Sequence, residues 1–83
     1  MGLVRDVAFK KMDERLVGYI LRRTANNNRL DETQESIAAQ LGTTREVVSR
    51  ILSGLERNGF IETGRGYIVV VDRSGLEHQL SPG

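Results

Sequence analysis

The chain has 83 residues, 39% of them apolar and 28% charged, with no cysteine and a formal net charge of +1. That balance suits one small soluble domain with a single modest core. It excludes a disulfide framework, a thiolate metal site and a cysteine nucleophile. No apolar run approaches the ~20 residues of a membrane span, and the N-terminus lacks the apolar core of a secretory signal. The expected address is cytoplasmic, with no membrane partner.

Met1 to Lys11 has weak periodicity, with Leu3, Val4, Val7, Ala8 and Phe9 apolar, and reads as a frayed or helical lead-in. Asp13 is expected to cap a helix running to about Ala25, with Glu14 in its first turn and Arg22 and Arg23 in its last. Leu16, Val17, Ile20 and Leu21 mark its buried face. Asn26 to Asn28 end it, because Asn tolerates turn geometry. Arg29 to Glu32 reads as a short extended link. Thr33 then fits an N-cap for a helix over Gln34–Leu41 that buries Ile37, Ala38 and Leu41.

Gly42 supplies the permissive backbone of a sharp turn. The next helix is expected from about Thr44 or Arg45 to Asn58. Val48, Ile51, Leu52 and Leu55 form its apolar stripe. Beyond Gly59 the period changes from helical to extended. Phe60–Thr63 and Tyr67–Val71, around Gly64–Arg65–Gly66, predict a β-hairpin that must pack on the helices to be stable. Asp72 is placed to cap a last short helix to about Leu80, with 81–83 as a tail. The predicted fold is mostly α with a small antiparallel β-wing, a winged helix-turn-helix.

In such a motif the second helix presents its N-terminal end to the major groove of DNA. Thr43, Thr44, Arg45, Glu46, Ser49 and Arg50 occupy that end. Arg can donate two hydrogen bonds to guanine, and a carboxylate can accept one from cytosine. The charge distribution argues the other way. Residues 1–28 carry net +3, whereas residues 29–66, which hold the reading helix, carry net −1. A domain holding DNA mainly by bulk electrostatics would be more basic there. A winged helix used as a protein-interaction module, without DNA binding, therefore stands as the alternative.

Residues 33–80 resemble the C-terminal DNA-binding domain of the Crp/Fnr family of bacterial transcription regulators. The shared pattern comprises Thr33, Ile37–Ala38, Leu41–Gly42, Thr43–Thr44–Arg45–Glu46 and Ser49–Arg50. Leu52, Leu55, Glu56, Gly59 and Ile61 continue it, with Arg65 to Asp72 matching the wing. Glu14–Arg15–Leu16 resembles the family's first domain helix, so the resemblance covers roughly 13–80. It implies that Glu46 and Arg50 read one G·C pair. It also implies that Arg45 is a further guanine reader, as in Crp-like members, while Ser49 matches Fnr-like ones. Typical members add a sensor domain and a long dimerisation helix. On that reading residues 1–12 are the stump of the helix, and no effector is sensed by this chain. The implied partners are double-stranded, palindromic DNA, a second copy of the full-length regulator, and RNA polymerase.

The same residues admit plainer roles. Thr43-x-x-Glu46 fits a capping box. Arg50 can pair with Glu46 at i, i+4, worth only ~0.3–0.5 kcal/mol, and Arg45 can be a solvated arginine. Val47, left outside the apolar stripe, can touch a thymine methyl or be a scattered surface valine. Thr33, Thr43 and Thr44 are candidate caps as well as phosphate contacts. Arg65 is the sole charge at the wing tip and is assigned to the phosphate backbone. His78 has no partner for metal or triad chemistry, and no nucleophile–base pair or metal set is present, so no cofactor and no enzymatic role is assigned.

Overall fold

The computed structural model describes the chain from Leu3 to Leu80, with side chains from Lys11 onward. The expected tail at 81–83 and the apolar side chains of the lead-in lie outside the described residues. Four helices and three strands follow in the order α1 (Leu3–Arg23), β1 (Arg29–Leu30), α2 (Gln34–Leu41), α3 (Arg45–Arg57), β2 (Ile61–Gly64), β3 (Tyr67–Val70) and α4 (Arg73–His78). This is a mostly helical winged helix-turn-helix. None of the described helices is long and apolar enough to cross a membrane.

α1 departs from expectation at both ends. It runs unbroken through Asp13, so that residue is interior to the helix and caps nothing. Partial desolvation and the neighbouring Glu14 raise the carboxyl of the exposed Asp13 above its ordinary range. The helix ends at Arg23, and the Thr24 N–H closes its last turn on Ile20 O at 2.9 Å. The Thr24 hydroxyl donates to Ile20 O at 2.7 Å and its side chain is fully buried. Asn28 then takes a positive φ of 58°, as Asn tolerates.

The link after it is a strand. Arg29 and Leu30 pair with Val69 and Ile68 of β3, giving a three-stranded antiparallel sheet of order β1-β3-β2 where only a hairpin was expected. Just before the strand, the Asn28 carbonyl accepts from the Val70 N–H at 2.8 Å. β2 and β3 pair in register from Ile61↔Val70 to Gly64↔Tyr67.

Every element contributes to one core. Leu16, Val17, Ile20 and Leu21 come from α1, Ile37, Ala38 and Leu41 from α2, and Val48, Leu52 and Leu55 from α3. Leu30, Ile61, Ile68 and Val70 close it from the sheet, and Leu76 from α4, while Ile51 packs at its edge. Gly42 makes the turn between α2 and α3 with φ 71°, in the left-handed region. Thr43 N–H then reaches back to Ala38 O at 2.9 Å, closing the end of α2. Any side chain at 42 would strain that backbone.

Candidate nucleic-acid interface

Two threonines start the motif helices. Thr33 is extended (φ −75°, ψ 158°), and its Oγ1 accepts from the Ser36 N–H at 3.1 Å. Thr44 repeats the geometry before α3 (φ −106°, ψ 158°), accepting from the Val47 N–H at 3.3 Å. Both are N-caps. Thr43 is half-buried and its N–H is already bound to Ala38 O. A Thr43–Glu46 capping box needs that N–H for the carboxylate, so it does not form.

The side chains of α3 divide by angle. Successive residues turn by about 100° around the axis. Val48, Leu52 and Leu55 point into the core. Glu46 and Arg50 fall almost opposite, both exposed. They form no ion pair with each other among the described residues. Arg45 and Ser49 lie on the flank between those faces, and the half-buried Val47 on the other flank.

An open groove of about 440 Å³ runs along the Arg45–Ser49 flank. Thr33, Gln34 and Glu35 at the start of α2 form one wall, Arg45 and Ser49 another, and Gly64, Arg65 and Gly66 at the wing tip the third. The structure thus brings four residues singled out from the sequence, Thr33, Arg45, Ser49 and Arg65, around one concavity. Glu46 and Arg50 stand on the adjoining face of α3. Thr43, Thr44 and Val47 lie near the α3 start outside the groove lining. Gln34 and Glu35 were missed. Their signal was the Thr33 cap, which puts the next two residues at the same helix end. Gly64 and Gly66 were read only as turn residues.

Behind the groove, one carboxylate ties α1 to α2. Glu32 Oε1 accepts from Tyr19 Oη at 2.6 Å, and Oε2 accepts from Ser36 Oγ at 2.6 Å. Arg23 Nη2 donates to Tyr19 Oη at 3.0 Å and sits 3.4 Å from Glu32 Oε1. Burial by itself would raise the Glu32 carboxyl. The hydrogen bonds from Ser36 and Tyr19, with the Arg23 charge, outweigh it and hold the group below its usual range. The sequence suggested only a link at this position.

Fold and groove together define a winged helix-turn-helix with a polar concavity beside its second motif helix. The chain belongs to the Crp-like helix-turn-helix domain family, whose profile matches residues 14–79. Electron transport regulator A of Shewanella oneidensis is 33% identical over 76 residues, covering 81% of this chain and 30% of that protein. Transcriptional regulator SdrP of Thermus thermophilus is 38% identical over 48 residues, covering 58% of this chain and 24% of that protein. A Crp/Fnr-family protein from Eubacterium rectale, of known crystal structure, superposes with a TM-score of 0.80 at 33% identity. The match covers 96% of this chain and 38% of that one. The chain therefore spans about a third or less of the regulators it matches in sequence. Membership of this family, and regulators among its relatives, support a DNA-binding regulatory role.

Proposed function

We propose that the domain binds duplex DNA sequence-specifically, with α3 in the major groove and the wing tip against the phosphate backbone. The observation that carries this reading is the groove that gathers Thr33, Arg45, Ser49 and Arg65 beside the exposed Glu46–Arg50 face. A helix entering the major groove presents base-reading side chains on the side away from its own core. Glu46 and Arg50 occupy that side. In this reading the Glu46 carboxylate accepts from cytosine N4, and the Arg50 guanidinium donates to guanine O6 and N7. Arg45 and Ser49 contact neighbouring bases at the flank.

Val47 meets a thymine methyl or the sugar edge. Thr33, Thr43, Thr44 and Arg65 approach phosphates, which fix register and carry no sequence information directly. Two copies acting on a palindromic site suit this geometry, since half-sites mirror protein symmetry. For a full-length regulator the reading is a homodimer on the site, with RNA polymerase as a further partner.

The near-neutral charge favours weak binding with few phosphate contacts, and a salt titration against a duplex tests it. Affinity should fall as salt rises, with a modest slope set by the few phosphates contacted, because released counterions drive binding. Arg65→Ala should weaken binding to every duplex by a similar factor and lower the salt slope by about one phosphate contact. Binding that does not respond to salt would favour the protein-interaction alternative. A changed base preference in Arg65→Ala would move that residue from the backbone to a base.

A further inference from the structure

The wing tip is a two-residue loop, Arg65–Gly66, closed by the pair Gly64↔Tyr67. Gly64 and Gly66 flank Arg65, and Gly66 takes a positive φ of 80°. Such a backbone has more freedom to lose than almost any other. Something must hold it if Arg65 is to stand at one place on the groove wall.

Tyr67 is placed to do so. Strand alternation puts Tyr67 on the outer face of the sheet with Gly64, Glu62, Val69 and Arg29. Its ring lies across Gly64. A Cβ added at 64 would fall into the Tyr67 ring, meeting Cε2 and Cζ. Gly64 therefore leaves the space this ring occupies, and any side chain at 64 would push the ring off the strand. Arg29 covers the ring, with its guanidinium carbon 4.5 Å from the centroid, and Arg29 Nε is held by Asp31 Oδ1 at 2.9 Å. The last residue of β2 is thus pinned under a ring that is itself covered by a cation of β1.

We propose that Tyr67 is a positioning residue for the wing, holding Gly64 and the loop so that Arg65 faces the groove opposite Arg45 and Ser49. This rests on the DNA-binding reading above. Tyr67 touches no phosphate itself in this arrangement, and acts only through Arg65.

The test is a double-mutant cycle on a fluorescent random-sequence duplex at low salt, with thermal melting of every variant as the folding control. Tyr67→Ala should weaken binding roughly tenfold, the scale of one hydrogen bond to a charged group. Tyr67→Phe keeps the ring and should bind as the unaltered chain does. Tyr67→Ala combined with Arg65→Ala should be no weaker than Arg65→Ala alone, because both remove the same contact. Should Tyr67→Ala fail to fold, Tyr67→Leu carries the same comparison, since it keeps apolar bulk but cannot lie flat over Gly64.

Additive losses would overturn the proposal, as would full binding by the folded Tyr67 variants. A loss in Tyr67→Phe equal to that in Tyr67→Ala would overturn it too, by making the hydroxyl itself a contact. Salt-sensitive binding that ignores Arg65→Ala would remove the wing contact and the proposal with it, while leaving DNA binding intact. No salt-sensitive binding by the unaltered chain would sink the DNA reading itself.

Discussion

Glu46 and Arg50 stand one turn apart, exposed, on the side of α3 turned from the core. Neither makes an ion pair among the described residues. If they read one G·C pair, their substitutions should behave differently. Glu46→Ala should relax preference at that base pair while keeping much of the affinity, since it removes an anion from a polyanionic interface. Arg50→Ala should lose both affinity and discrimination, by about 1–3 kcal/mol. Binding across a single-base-substituted half-site measures both, and unaltered specificity in Glu46→Ala would discard this reading of the residue. Arg73 is the opposite kind of residue, structural and far from the groove. Its guanidinium donates to Leu21 O at 2.8 Å and to Thr24 O and Oγ1 at 3.2 Å each, and also reaches Asn28 Oδ1 at 3.1 Å. It thereby satisfies carbonyls at the negative end of α1. Arg73→Ala should cost about 1–3 kcal/mol, seen as a melting point lower by about 4–8 °C per kcal/mol in a domain of this size. Arg73→Lys should recover only part, because an ammonium cannot span the same fork of acceptors. Duplex affinity of the folded variants should not change.

Among elements, the joint between α1 and α2 depends on the charge state of Glu32. Its folded pKa lies below the ordinary value of 4.5. The stabilisation is therefore fully present above 4.5 and fades as pH falls through the lower folded value. Glu32→Gln should destabilise the domain near neutral pH by about 1 kcal/mol, the difference between charged and neutral acceptors. That gap should close as pH drops below 4.5. Chemical denaturation across that range measures it, and a gap independent of pH would assign the effect to shape instead of charge. The joint also shows where sequence was readable. α2, the turn and α3 were legible because Thr33, Gly42 and an apolar period each act within a few residues. β1 was not, since two residues carry no period and its partner lies far along the chain. Asp13 misled because a good capping residue sits equally well on the exposed side of a helix that continues past it. Arg73 on the end of α1 and Tyr67 over Gly64 arise from tertiary contact, which no local pattern encodes. The exposed face of α3 was legible for the opposite reason: what α3 does not bury follows directly from what it does.

For the whole molecule, the question is how one domain of near-neutral charge holds a polyanion. Its groove offers two cations, Arg45 and Arg65, against the anion of Glu35. Few counterions are released by so few contacts, so a single copy should bind any one half-site weakly. Two copies on a palindrome gain only if something links them, because linkage turns the second binding event into an intramolecular one. The described surface offers little for such a link. Val71 and Leu80 are the large apolar side chains exposed among the described residues, well short of the apolar patch a stable association buries. The 83-residue chain is therefore expected to sediment as a monomer at micromolar concentration in the absence of DNA. On a palindromic duplex it should bind as two copies with independent affinities, each matching that for a single half-site. Velocity sedimentation with and without duplex, and titration of palindromic against single-half-site duplexes, check both statements. A tight dimer without DNA would overturn the first statement. Cooperative binding by a sedimenting monomer would place that link on the DNA-bound faces themselves.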